Sequence, residues 1–282
     1  MEFLGKRAIP GVEEVSQRCY RRTARIARKS VVVQVVPEGA SAVRVSVCSR
    51  DGDEDPTPVL CRVRHLFDLD ASPEAIGTRL SEDAALRPLV ARTPGLRVPG
   101  AWEPFEIGVR AILGQQVSVK GASTLTGRFA ERFGRPLSRA MCSETLRVLF
   151  PHPRAWAGSG AAEAIATIGV PLSRASSIAA FAGAFDGRSV SFEPDVDTTT
   201  FLRQLMAIKG IGPWTAHYVA MRARHDGDAF PAGDLILLRA LSDAPTPKAL
   251  EARAQRWRPW RAYAAMHLWR DYARVRAGAE GG

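Results

Sequence analysis

Cysteine is scarce in this chain of 282 residues, and the four present, Cys19, Cys48, Cys61 and Cys142, form no CxxC pair. Their spacing excludes a zinc ribbon or an iron–sulfur cluster and predicts reduced thiols in a cytosolic setting. Long apolar runs are missing too. None approaches the ~20 residues needed to cross a bilayer, and the opening MEFLGKRAIPG lacks the apolar core of an export signal. A cytoplasmic protein without membrane insertion is therefore expected. Lysine is rare: Lys6, Lys29, Lys120, Lys209 and Lys248 are the only ones among 39 basic residues. That dominance of arginine, beside abundant alanine, fits a GC-biased genome and carries less meaning than the charge excess itself.

What is present is ordinary globular material, with 46% hydrophobic and 24% charged residues. Disordered and fibrous classes drop out, and the length allows one large domain or two ordinary ones. Basic residues outnumber acidic ones 39 to 29, for a net charge of +10. Such a surface attracts polyanions, and nucleic acid is the first candidate.

Residues 20–70 read as strands. Val31–Val36 is a β-branched run, Val43–Val47 alternates with period two, and Pro37-Glu38-Gly39 supplies a turn between them, which predicts a β-hairpin. A second turn at Asp51-Gly52-Asp53 leads to the apolar segment Val59–Val63. The texture then changes: Ser72-Pro73 carries the signature of a helix start, and Gly95 fits a helix end after an apolar-periodic stretch. From Ala101 onward, segments of helical period are separated by Gly, Pro and Ser clusters at 134–138, 151–160, 169–173, 186–195 and 244–247. No comparable strand run, internal repeat or low-complexity tract follows. The fold class expected is α+β, with a small antiparallel-sheet domain at 1–95 and a mainly helical domain at 96–282.

One segment carries chemistry. Residues 201–224 run as a helix into Lys209-Gly210-Ile211-Gly212, and a second helix begins at Pro213. Two glycines in so short a turn allow positive φ and close approach by an outside group. The second helix points its free N–H groups and positive dipole end outward, which suits a phosphate. Taken alone, the glycine pair reads equally as a tight helical connection. Trp214 and Tyr218, spaced i, i+4, share one helix face, and singly each reads as core. Asp234 opens a further apolar helix, where by itself it reads as an N-cap.

Together these residues resemble a known family. Ile208-Lys209-Gly210-Ile211-Gly212-Pro213-Trp214-Thr215-Ala216, followed by a loop and Asp234, is similar to the helix–hairpin–helix–Gly/Pro–Asp superfamily of DNA glycosylases. The bacterial DNA-3-methyladenine glycosylase II type is the nearest pattern. Phe105–Ser118 resembles that family's first helical signature, Trp257–Tyr263 with His267-Leu268-Trp269 its C-terminal one, and Arg7–Glu13 the end of the first strand of its N-terminal, TBP-like domain. That strand looks cut short at Met1, which would leave the sheet without an edge.

The resemblance implies base excision repair at the bacterial nucleoid: a monofunctional hydrolase that flips alkylated purines out of duplex DNA and leaves an abasic site. Asp234 would be the catalytic carboxylate. Trp214, Tyr218 and Trp269 would line the base pocket, with Phe3 as a fourth aromatic and Leu235 beside Asp234 where some relatives have an aromatic. Lys209, Gly210, Ile211, Gly212 and Thr215 would meet the DNA backbone. Gln116 stands where relatives have an apolar wedge for the gap left by the flipped nucleotide. No cofactor is implied beyond a monovalent cation on the backbone carbonyls of Met206, Ile208 and Ile211, and the chain would act as a monomer.

Trp214 occupies the place of the lysine nucleophile found in bifunctional members, and an indole forms no Schiff base. Lys209 and Lys120 fall outside that motif position. His217 and His267 read as packing or surface residues, and His65, His152 and His225 form no metal-ligand pattern. Two alternatives stay open at this stage: a catalytically silent DNA-binding module that keeps the hairpin, and a glycosylase for deaminated or oxidised bases.

Overall fold

The computed structural model describes residues 1–39, 41–49 and 55–279; the turn expected at Asp51-Gly52-Asp53 lies outside them. A short helix α1 (Glu2–Gly5) precedes four strands, β1 (Glu13–Val15), β2 (Tyr20–Ile26), β3 (Lys29–Glu38) and β4 (Ala42–Ser49). They form one antiparallel sheet in the order β1-β2-β3-β4. The expected hairpin is present, with Val33 opposite Val47 and Val35 opposite Val45. Its strand continues through Pro37 and Glu38, so the turn moves to Gly39 at φ +66. Arg7–Val12 is turn and coil apart from a single parallel bridge between Gly11 and Leu146, and the first strand starts at Glu13.

Helices follow: α2 (Thr57–Phe67), α3 (Pro73–Ser81), α4 (Arg87–Arg92), α5 (Pro104–Leu113) and α6 (Val119–Phe133). The apolar segment Val59–Val63, read from sequence as continuing the strands, is the body of α2. Val59, Val63 and Leu66 are all buried, and their i, i+4, i+7 spacing marks a helical stripe that the β-branched residues conceal. The stretch leading to Gly95 is two helices, α3 and α4, broken at Glu82–Leu86, with Gly95 at φ +70 beyond α4. A minimal strand pair, β5 (Arg135–Pro136) with β6 (Val148–Leu149), interrupts the helical region; the first lies in a cluster read as loop and the second in a segment read as helical. The chain continues through a 3-10 turn (Pro153–Trp156), α7 (Ala161–Ala166), α8 (Leu172–Asp186), α9 (Thr198–Met206), α10 (Pro213–Ala223), α11 (Leu235–Ala240), α12 (Pro247–Ala254), a 3-10 turn (Gln255–Trp257) and α13 (Arg261–Ala279).

Two compact units arise, each drawn from separate chain stretches. The first comprises 1–64, 102–191 and 207–210, and the second 65–101, 192–206 and 211–282. The domain boundary expected at residue 95 therefore sits inside the second unit's first stretch.

In the first unit, Val32 packs with Leu137, Leu146 and Leu149. Phe105 of α5 stacks on Phe181 of α8, with ring centroids 5.7 Å apart. Gly108 permits that approach, because a Cβ there would lie 2.3 Å from the Phe181 ring. In the second unit, Phe230 meets Trp257 edge to face at 5.8 Å, and the Trp257 indole donates to buried Asp83 at 2.9 Å. This core carries the loop that ends at Asp234.

Candidate active site

The hairpin connects α9 to α10. Of its two glycines only Gly210 takes positive φ, at +91. A Cβ there would stand 1.9 Å from Ser177 Oγ, so both conformation and space demand glycine. Gly212 departs from expectation: it is extended (φ −91, ψ 177) and caps α10, with Pro213 in the first helical position. No atom lies within 4 Å of a Cβ built on Gly212, which leaves its backbone open to an outside group. The Gln115 side-chain amide donates to the Gly210 carbonyl at 2.9 Å.

A tied-down loop leads from α10 to α11. Asp226 accepts from Thr198 Oγ1 at 2.5 Å, and Asp228 accepts from Arg258 at 2.5 Å and from Arg261 at 2.8 and 3.1 Å. The Phe230 amide donates to His217 Nδ1 at 3.3 Å. Asp234 then caps α11, its Oδ1 accepting from the amides of Ile236 at 2.9 Å and Leu237 at 3.1 Å. The bland and the chemical readings of this residue thus coexist, because a cap holds its carboxylate at a helix N-terminus.

Two indoles complete the carboxylate's surroundings. Trp214 Nε1 of α10 donates to Oδ2 at 2.9 Å, and Trp269 Nε1 of α13 donates to Oδ1 at 3.0 Å. Trp214 also stacks on Tyr218, with centroids 5.2 Å apart and planes 6° from parallel; Tyr218 lies 6.4 Å from Trp269. The structure brings Asp234, Trp214, Tyr218 and Trp269 into one cluster. Asp234 and both indoles stay half-buried, while Tyr218 is buried.

The remaining expected residues distribute as follows. Leu235, directly after Asp234, is 66% exposed. Lys209 and Gly210 are exposed on the hairpin, Met206 closes α9, and the side chains of Ile208, Ile211 and Thr215 are buried. Burial of Thr215 removes its side chain from the surface on which a DNA contact was expected. Gln116 is exposed in the α5–α6 turn at φ +58, a left-handed conformation uncommon for a residue with a Cβ. Phe3 sits on α1 of the first unit with the Arg7 guanidinium 3.8 Å over its ring. Among the described residues no group of three or more His, Cys, Asp or Glu side chains is placed to hold a metal ion, and no helix is long and apolar enough to cross a membrane.

Sequence reading missed the support behind Tyr218. Buried Arg222 donates to the tyrosine oxygen at 2.8 Å and to the carbonyls of Pro99 and Gly100. Its position one turn after Tyr218 on the same face was the available signal. Behind it His65 stacks on His225, with centroids 3.9 Å apart, and His65 Nε2 lies 3.3 Å from the Arg222 carbonyl. Burial first, and for His65 the neighbouring His225 next, push both imidazoles down to about 4.

Known proteins resemble this chain over nearly its full length. A sequence model of the AlkA N-terminal domain matches residues 1–103. A probable bifunctional transcriptional activator/DNA repair enzyme AlkA of Mycobacterium tuberculosis is 38% identical over 94% of this chain. The chain spans about half of that relative, 53% of its length. The DNA-3-methyladenine glycosylase 2 of Escherichia coli is 33% identical over 95% of this chain and 90% of its own length. A 3-methyladenine DNA-glycosylase structure from Archaeoglobus fulgidus shares the fold, with a TM-score of 0.79 at 23% identity over 95% of this chain and 91% of that one.

Proposed function

Because the chain belongs to the DNA-3-methyladenine glycosylase 2 family, we propose that it hydrolyses the N-glycosidic bond of alkylated purines in duplex DNA as a step of base excision repair. The observation that carries this reading is a carboxylate, Asp234, held at a helix start among three aromatic side chains. A purine alkylated at N3 or N7 is cationic. When its bond to C1′ breaks, the electron pair neutralises the ring, so departure needs little help from a general acid. Charge builds instead on the sugar, and one fixed carboxylate suffices to stabilise it. A water oxygen then bonds to C1′ and loses its proton, leaving free base and an abasic site.

The hairpin would grip the DNA backbone through the N–H of Gly212 and those of the first turn of α10 after Pro213, which itself has none, and Lys209 adds a charge. Between Met206 and Pro213 the chain carries no acidic side chain, and the carbonyls of Met206, Ile208 and Ile211 are neutral donors. That donor set suits a weakly held monovalent cation better than a divalent one. Gln116, already in a left-handed turn, would enter the gap left by extrusion, a step that costs a few kcal/mol and favours damaged or poorly paired bases. Exposed Leu235, directly after Asp234, would add apolar surface near the base. No amine takes the place of Trp214, so the product strand stays uncut.

The test is direct. Wild-type protein incubated with alkylated duplex should release free 3-methyladenine, and Asp234→Asn should release it ~10²–10³-fold more slowly while still binding the duplex. Excision by Asp234→Asn at the wild-type rate would refute the assignment. Borohydride trapping should yield no covalent protein–DNA complex, and a trapped adduct would overturn the hydrolase reading in favour of a lyase.

A further inference from the structure

Trp214 and Trp269 are placed for a task other than stacking on a base. A carboxylate offers about four lone-pair directions, and here four donors meet it. Oδ1 takes three of them, from the amides of Ile236 and Leu237 and from Trp269 Nε1, at 2.9, 3.1 and 3.0 Å. Among the described residues Oδ2 takes one, from Trp214 Nε1 at 2.9 Å. The donors come from three helices: α11 by its amides, α10 by Trp214 and α13 by Trp269. The carboxylate is thereby fixed in position and in rotation. Cap bonds alone leave the second oxygen free to swing, and the two indoles remove that freedom.

The ring geometry argues in the same direction. Trp214 lies nearly parallel to Tyr218, their planes 6° apart and centroids 5.2 Å apart. One face of each ring is therefore occupied by the other, and no base fits between them. Trp214 retains its N–H edge as a chemical feature, and that edge points at Asp234.

We propose that Trp214 and Trp269 are positioning residues that act through their indole N–H groups. They lock the Asp234 carboxylate so that Oδ2, with a lone pair to spare, is the oxygen presented to the sugar. This rests on Asp234 being the catalytic carboxylate proposed above. A preorganised charge stabilises a developing cation without reorganising during the reaction. Rotation of the carboxylate away from that direction therefore lowers the rate on every lesion alike. An indole that acted by stacking would instead matter most for electron-poor, cationic bases.

Trp214→Phe and Trp269→Phe keep an aromatic ring but remove the donor together with one of the two fused rings, so the comparison across lesions and with the Asp234→Asn background, not the rate loss alone, identifies the donor's share. Under single-turnover conditions each should slow excision about tenfold or more, the scale of one hydrogen bond to a charged group. The factor should be the same for cationic 7-methylguanine and for a neutral lesion such as hypoxanthine. Affinity for a duplex carrying an uncleavable tetrahydrofuran abasic analogue should stay within about twofold, as no phosphate contact is removed. In an Asp234→Asn background the same substitutions should cause no further loss. A factor that depends on lesion charge, or one that persists undiminished without the carboxylate, would overturn the proposal.

One measurement needs no activity at all. In 1H–15N spectra of wild type and Asp234→Asn, two of the six tryptophan indole resonances should move, and they should be those assigned to Trp214 and Trp269. If neither moves, the indole contacts do not exist in solution. Should wild-type protein excise nothing, the proposed function fails while this spectroscopic outcome still decides the positioning of Asp234.

Discussion

Glu106 in the first unit and Asp234 in the second are both carboxylates at the start of a helix, yet their surroundings are opposite. Glu106 is 7% exposed and meets the Arg22 guanidinium through two bonds of 2.6 and 3.2 Å, with Glu13 and Tyr20 on the same arginine. Burial opposes the arginine's charge, but Glu106, Tyr20 and Glu13 outweigh it and hold the proton on Arg22 more firmly than usual. Asp234 has only neutral donors, two amides and two indoles, and is described with no cationic partner among the described residues. A guanidinium cancels a carboxylate's field within a few ångströms, whereas N–H dipoles orient the group and leave its net charge intact. Neutralised acid serves the fold, and uncancelled acid is available to a substrate.

That contrast can be broken from either side. The largest effect should come from Glu106→Gln, which leaves the buried Arg22 guanidinium with the longer Glu13 contact as its ion pair and should cost ~3 kcal/mol in urea unfolding. Excision per folded molecule should not change, and an unaltered midpoint would show that the pair contributes nothing to the fold. Asp234→Asn should invert the pattern, with excision falling ~10²–10³-fold, the scale of one electrostatic contact to a transition state. Asparagine keeps the helix cap through its carbonyl oxygen, but its NH2 cannot accept from Trp214, so about 1 kcal/mol of stability should be lost with that bond. Asp234→Ala should lose a further ~1 kcal/mol of stability with the cap.

The hairpin glycines extend the comparison to a smaller scale. Gly210→Ala meets both a positive φ and Ser177, so it should destabilise the protein by ~1–3 kcal/mol. Gly212→Ala, extended and facing open space, should leave the melting temperature nearly unchanged and weaken duplex binding instead. Equal losses of stability would erase the distinction between a packed and a presented glycine.

The smallest effect concerns acid. His65 and His225 are pushed down to about 4 in the folded protein, whereas unfolded imidazoles titrate near ~6.5. Their neutral forms support the fold fully above that unfolded value, and the support fades as pH falls towards 4. Arg222, Asp68, Asp70 and Tyr263 share this neighbourhood, and burial raises the Asp68 carboxyl, which acts with the opposite sign at the acid end. The measurement is therefore a difference: His225→Asn, suited to φ +52, should flatten the fall in melting temperature between pH 6.5 and 4 relative to wild type.

Particular residues show why some of this was legible in the sequence and some was not. The Val31–Val36 and Val43–Val47 strands announce themselves by period, and their predicted pairing is found. Val59–Val63 misleads because β-branched residues conceal a helical stripe; burial at every third or fourth position, not composition, decides it. Asp234 could be located from its motif, and its capping role from the apolar helix that follows. Arg22 and Glu106, 84 positions apart, carry no local sign of each other.

By itself the sequence singled out Asp234, the glycines of the hairpin and the aromatic residues around them, because spacing along one helix and the chemistry of a residue type are local properties. Only the tertiary structure decided that Trp214 and Trp269, 55 positions apart and on different helices, turn their N–H edges onto the two oxygens of one carboxylate. The direction in which an indole points depends on how helices pack against each other, and no pattern along the chain encodes that angle.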